Sequence, residues 1–212
     1  MMISKLIKGN KKFKDAHFPK LECTFDDLVE NGQKPQILFI GCSDSRVVPD
    51  LIVDSEPGDM FILRNIGNFV PPYKNDTDFH GSSAAIEYAV SVLEVKDIII
   101  CGHSHCGACA ALYKDLSDEP HLVHVNKWLE LGKKAKEYTL LAVDDKNNKE
   151  KILRTTEKIS IKHQLENLLT YPEVYRRVKD GLLDIHGWYY KIEDGSIEYY
   201  DGESYSFKNL GE

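Results

Sequence analysis

Three short runs of large apolar residues dictate most of what this chain can become: QILFIGC at 36–42, DMFILRNIG at 59–67 and DIIICGH at 97–103. They are too continuous for half-exposed strands and too short for free-standing helices, and each ends in Gly or polar residues. Strands buried on both faces of a parallel sheet have this pattern. Between the second and third runs, SSAAIEYAVSVLE (82–94) has Ser at an N-cap position and apolar residues at helical spacing, which makes a strand, helix, strand crossover. GWYYKI and SIEYYD, separated by Glu193-Asp194-Gly195, read as a hairpin. The expected class is therefore α/β: a mainly parallel core of four strands with an added antiparallel C-terminal edge strand, flanked by helices. Further helices are expected at the amphipathic N-terminus and over 106–116, 123–138 and 155–170, the last ending before Tyr171-Pro172. LAVDDKNNKEKILR (141–154) is polar enough for an exposed connection, and no internal repeat marks a boundary. We expect one domain over 1–212 with an N-terminal helical arm of about 30 residues.

The charge balance narrows the partners. With 27 Lys plus Arg against 34 Asp plus Glu the net charge is −7, and there is no basic stripe, which argues against nucleic acid and anionic membrane. A small solute is the expected partner. The N-terminal MMISKLIKGNKKFKD is too short an apolar segment for a signal-peptide core, and no run of about 18 apolar residues occurs. The five cysteines are an odd count, and most sit beside His, Asp or another Cys, as reduced thiols available to a metal or to catalysis do. A cytoplasmic location is expected.

The reactive residues concentrate where strands end. In open α/β sheets, loops at the carboxyl ends of strands carry the polar groups that buried strands cannot. Cys42-Ser43-Asp44-Ser45-Arg46 leaves the first strand, and His103-Ser104-His105-Cys106 leaves the third. His103 and Cys106 are three apart at a strand-to-helix turn, and Cys42 can join them from a neighbouring strand end. A Cys, His, Cys set suits zinc rather than magnesium or calcium, and three ligands leave room for a water whose pKa falls toward about 7.

Other readings of the same residues stay open. Cys106-Gly-Ala-Cys109 is formally a C-x-x-C dithiol, though without redox context, and His105 or Cys109 as a fourth ligand would close the site structurally. Cys101 and Cys109 read better as small buried hydrophobes, and Cys23, in an expected loop, has no evident partner. The H-x-E and P-C-x-x-C pair of a zinc nucleobase deaminase is missing. Asp44 stands two residues from a proposed thiolate ligand, where a free carboxylate would compete for the metal. Arg46 can hold it in a two-pronged ion pair, ionised and aimed as a proton acceptor. Were Arg46 to release it, Asp44 would be free to shut the site as a fourth ligand.

CSDSR at 42–46 and HSHC at 103–106 together resemble the zinc and dyad signatures of the β-class carbonic anhydrases. EPGDMFILRNIGN (56–68), SSAAIEYAV (82–90), NLLTYP (167–172) and HGWYY (186–190) agree as well, so the likeness covers roughly 30–200. The resemblance implies reversible hydration of carbon dioxide to bicarbonate and a proton by a zinc-bound hydroxide. One Zn2+ per subunit would be held by Cys42, His103 and Cys106, with Asp44 paired to Arg46 and His105 a bystander. It also implies a substrate pocket of Gln33, Phe61 and Tyr88, often built across a dimer interface, in a homodimer or homotetramer whose N-terminal helix packs on a partner subunit. Apolar aromatics suit carbon dioxide, which has no net dipole. A second subgroup of the family is regulated by bicarbonate at a site of Trp, Arg and Tyr. Arg64 and Tyr190 match it, but position 39 is Phe, which favours the open-site, plant-type subgroup. His80 is a weak proton-shuttle candidate. The same scaffold would also serve hydrolysis of carbonyl sulfide or carbon disulfide, or a zinc-closed binding protein without activity.

Overall fold

Each apolar run becomes a strand and stops where its apolar residues stop. In the computed structural model, which describes residues 2–76 and 78–211, β1 (Ile37–Cys42) lies parallel between β2 (Met60–Asn65) and β3 (Asp97–His103). β4 (Asp184–Tyr190) continues the parallel set beside β3, and β5 (Ile197–Asp201) and β6 (Ser206–Asn209) return antiparallel. The order is β2-β1-β3-β4-β5-β6, one antiparallel strand more than expected. β6 carries a single half-buried apolar side chain, Phe207, and so had no alternation to read.

Alternate residues of the strands build two cores. Leu38, Ile40, Ile98 and Ile100 face Ile86, Ile161, Leu168 and Val174, whereas Phe39, Ile99 and Cys101 pack on the other face with Trp188 and Tyr190. Full burial of each such Leu or Ile is worth about 1.5–3 kcal/mol, which is what holds the helices to the sheet.

The helices depart from expectation in instructive places. α1 (Met2–Lys12) and α2 (Phe18–Asn31), joined by a π-helical turn at Phe13–His17, form the N-terminal arm. Neither buries a residue within the chain, and Cys23 lies exposed in α2 rather than in a loop. After α3 (Pro49–Val53), α4 (Gly81–Glu87) runs on as a π-helical turn, Tyr88–Val92, and His80 rather than Ser stands at its N-cap. α5 (Gly107–Ala111) is half the expected length, because the chain tightens after it: the Tyr113 and Lys114 N–H groups bond three residues back, to the Ala110 and Ala111 carbonyls at 3.3 and 3.0 Å. The segment 123–138 is two helices, α6 (Val123–Leu129) and α7 (Lys133–Ala142), broken at Gly132, where a Cβ would stand 2.9 Å from Leu112 and Phe69 atoms. α8 (Lys149–Leu168) starts earlier than expected, since Asn148 caps it by accepting the Lys151 N–H at 2.9 Å. The expected connection thus shrinks to 143–148. α9 (Pro172–Lys179) was not anticipated, although Pro at a first helical position is a common start.

Two features position the site. The order β2-β1-β3 makes the gap between the ends of β1 and β3 a topological switch point, where chain leaving the two strands diverges and opens a crevice. On the adjoining face, a Cβ at Gly102 or Gly187 would come within 2.7 or 2.8 Å of Ile161, so these glycines let α8 press against β3 and β4. Among the described residues, no helix is long and apolar enough to cross a membrane.

Candidate active site

Register brings the two reactive loops together. Gly41 pairs with Cys101, so Cys42 and His103 end adjacent strands, about 4.8 Å apart across the ladder, and Cys106 returns as the N-cap of α5. The ligand atoms of Cys42, His103 and Cys106 all lie within 4.8 Å of one another, and all three residues are buried.

The side chains fit a thiophilic divalent cation. His103 Nδ1–H donates to the Ser104 carbonyl at 2.8 Å, which leaves Nε2 as the nitrogen with the lone pair. That Nε2 is buried and has no hydrogen-bond partner, as a metal-ligating nitrogen would be. The Cys42 thiol is pushed up to about 12 by its hydrogen bond with Cys106 and by burial, and Cys106 is also raised, chiefly by its contact with Cys109. Without a cation these thiols keep their protons, and a metal must displace them.

Beside this cluster stands the carboxylate pair. Arg46 donates from Nε to Asp44 Oδ1 at 2.9 Å and from Nη2 to Oδ2 at 2.8 Å, while its backbone N–H reaches Oδ1 at 3.0 Å. These bonds hold Asp44 far below the usual carboxylate range. Arg64 supports the turn from β2, donating to the Cys42 carbonyl at 2.9 Å and the Asp44 carbonyl at 2.7 Å.

Sequence reasoning missed several supporting residues. Glu157 of α8 is 2% exposed and accepts the Cys106 N–H at 3.0 Å, Arg154 Nη2 at 2.7 Å and Tyr189 Oη–H at 2.8 Å. Its carboxyl is raised by burial. Glu193, in the β4–β5 turn, accepts from Ser104 Oγ at 2.6 Å and from His105 Nε2 at 2.6 Å. His105 is exposed and no part of the cluster, as expected, yet its carbonyl accepts Arg46 Nη2 at 3.0 Å. Cys101 and Cys109 are buried, in accord with packing roles.

Within one chain the remaining candidates lie elsewhere. Phe61 pairs with Leu38, four residues before Cys42 and so about 13 Å down the strand. Tyr88 packs against Phe61 at 5.8 Å between ring centroids, and Gln33 is exposed at the opposite end of β1 from Cys42. Phe39 is fully buried, and Arg64 is committed to the two carbonyls. His80 bonds Asp76 Oδ1 at 2.6 Å.

A buried thiol, imidazole, thiol set beside an ion-paired carboxylate, at the switch point of a mostly parallel sheet, is the kind of centre that could hold a metal ion through three protein side chains, as metalloenzymes do. The comparisons give that class its family. The family model described as carbonic anhydrase matches residues 37–197. A carbonic anhydrase of Synechocystis sp. is 42% identical over 207 residues, covering 97% of this chain and 73% of that protein. The structure of the β-carbonic anhydrase CcaA superposes with a TM-score of 0.90 at 41% identity, over 100% of this chain and 93% of that one. One of two tetrameric β-carbonic anhydrases of Sordaria macrospora gives 0.71 at 30% identity, over 99% and 94%. The chain belongs to the carbonic anhydrase family of enzymes, in its β class.

Proposed function

We propose that this protein catalyses the reversible hydration of carbon dioxide to bicarbonate and a proton, with Cys42, His103 and Cys106 holding one zinc ion. The observation that carries the reading is that Arg46 engages both oxygens of Asp44 immediately beside the three-residue ligand set. When bound there, zinc supplies a Lewis acid that makes water nucleophilic near neutral pH.

The chain's own residues do the rest. Asp44, ionised across the physiological range, has lone pairs beyond those used by Arg46 and accepts from the O–H of the attacking water, orienting it. Its depressed pKa makes it a poor resting place for a proton, so it aims rather than stores. Arg46 also keeps the carboxylate from turning inward as a fourth ligand, which favours the open-site subgroup and opposes a zinc-closed binding protein. Gln33, Phe61 and Tyr88 line the substrate pocket for a second copy of the chain, since register separates them from their own cysteines. That assembly is at least a homodimer, and a homotetramer is in keeping with the Sordaria macrospora relative. The uncovered Leu6 and Ile7 of α1 dock on the partner. We read 1–212 as one domain acting in the cytoplasm.

The test is stopped-flow carbon dioxide hydration with the zinc-loaded chain, run in parallel with carbonyl sulfide. Hydration well above buffer, lost in Cys42→Ala, is the expected result. No hydration at alkaline pH, or turnover of carbonyl sulfide alone, would overturn it.

A further inference from the structure

The geometry points to Glu193 as a positioning residue: one carboxylate of the β4–β5 turn sets both the imidazole ligand and the Asp44–Arg46 pair. This rests on the ligand assignment proposed above. Two lines of contact meet at Glu193. Through Oε2 it accepts the Ser104 hydroxyl proton at 2.6 Å, while that hydroxyl accepts the Ile192 N–H at 2.9 Å and the Ser104 N–H donates to the Tyr190 carbonyl at 2.9 Å. Ser104 is therefore pinned to the hairpin, and its carbonyl fixes which His103 nitrogen carries the proton.

Through Oε1, Glu193 accepts from His105 Nε2 at 2.6 Å. His105 has φ +56°, a left-handed conformation uncommon for a residue with a side chain. With the ring gripped by Glu193, the peptide turns so that the His105 carbonyl meets Arg46 Nη2 at 3.0 Å. Arg154 Nη1, 3.9 Å from Glu193, extends the network to Glu157 and so to the Cys106 amide. Residues 103–106 are thereby held from both sides, and none of the anchoring carboxylates belongs to the motif.

Three variants of the full zinc-loaded chain test this by the rate of zinc release to a chromophoric chelator and by the visible spectrum of the cobalt-substituted form. Glu193→Ala should speed release by about 10- to 100-fold and change the cobalt spectrum. Glu193→Gln should fall between, because its single acceptor oxygen serves only one of the two donors. Asp194→Ala, which removes the acceptor for Ser196 in the same turn, should leave both readouts as in wild type. Should Glu193→Ala fail to fold, Glu193→Gln decides alone. Unchanged release and spectrum in either folded Glu193 variant, or an equal effect from Asp194→Ala, would overturn the role. A wild-type chain that takes up no zinc overturns the ligand assignment as well.

Discussion

The two loops that build the site are stabilised in opposite ways. The loop leaving β1 secures its own functional pair: Asp44 and Arg46 are two residues apart, bond each other directly, and Arg46 is 48% exposed at its side chain. The loop leaving β3 is secured by distant residues: Glu157, 51 positions from Cys106, and Glu193, 89 positions from Ser104. The Glu157 side chain is 1% exposed, whereas that of Glu193 is 51% exposed, so the buried anchor of this loop is Glu157. A local, solvated pair is easily broken at little cost to the fold, whereas the remote, buried one ties chemistry to global stability. Function should therefore be lost without unfolding in the first loop, and with unfolding where Glu157 anchors the second.

The largest effect should come from Cys42→Ala, which leaves two ligands: zinc content by atomic absorption should fall well below one per chain and hydration to the buffer rate. Glu157→Ala tests the buried side of the contrast. It leaves Arg154 without its partner and the Cys106 amide without an acceptor, and should lower stability by about 3 kcal/mol in urea unfolding. Asp44→Asn should keep zinc and fold while slowing hydration by about 10- to 100-fold. A matching loss of stability in that variant would erase the distinction between the loops.

Acid should separate them further. The folded-state pKa of Asp44 is depressed, so its contribution to stability is complete above the unfolded value of about 3.9 and is lost as pH falls through the lower folded value. With zinc removed from both proteins, the urea midpoints of wild type and Asp44→Asn should keep a constant separation from pH 7 down to about 4 and converge only below it. The smallest effect belongs to Arg46→Lys. Loss of the two-pronged contact at an exposed site should change stability by less than about 1 kcal/mol, but activity measurably, since a Lys ammonium lacks the planar fork that meets both Asp44 oxygens and the His105 carbonyl together.

The same contrast explains what could be read before the fold was known. Cys42, Asp44, Arg46, His103 and Cys106 were legible because each lies in a short motif at the end of an apolar run, where spacing alone restricts the chemistry. The parallel core was legible for the same reason. Glu157 and Glu193 were not, because an acid in TTEKIS or KIEDGS looks like a solvated surface charge until α8 and the hairpin are placed. Glu157 lies in the middle of α8 and Glu193 in a turn, so neither position stands out until the helix and the hairpin are placed against β3. β6 and α9 were missed through weak local patterning, and α5 was overextended because periodicity does not reveal where the backbone tightens to three-residue turns.

The hairpin turn that carries Glu193 is synthesised after all three candidate ligands. Cys42, His103 and Cys106 all leave the ribosome before β4 exists, so a nascent chain holds the three proposed ligands but not the strand, turn and carboxylate beside them. A set of metal-binding side chains is then oriented only in the finished fold, because β4, which carries the chain into that turn, is an interior strand of the sheet beside β3.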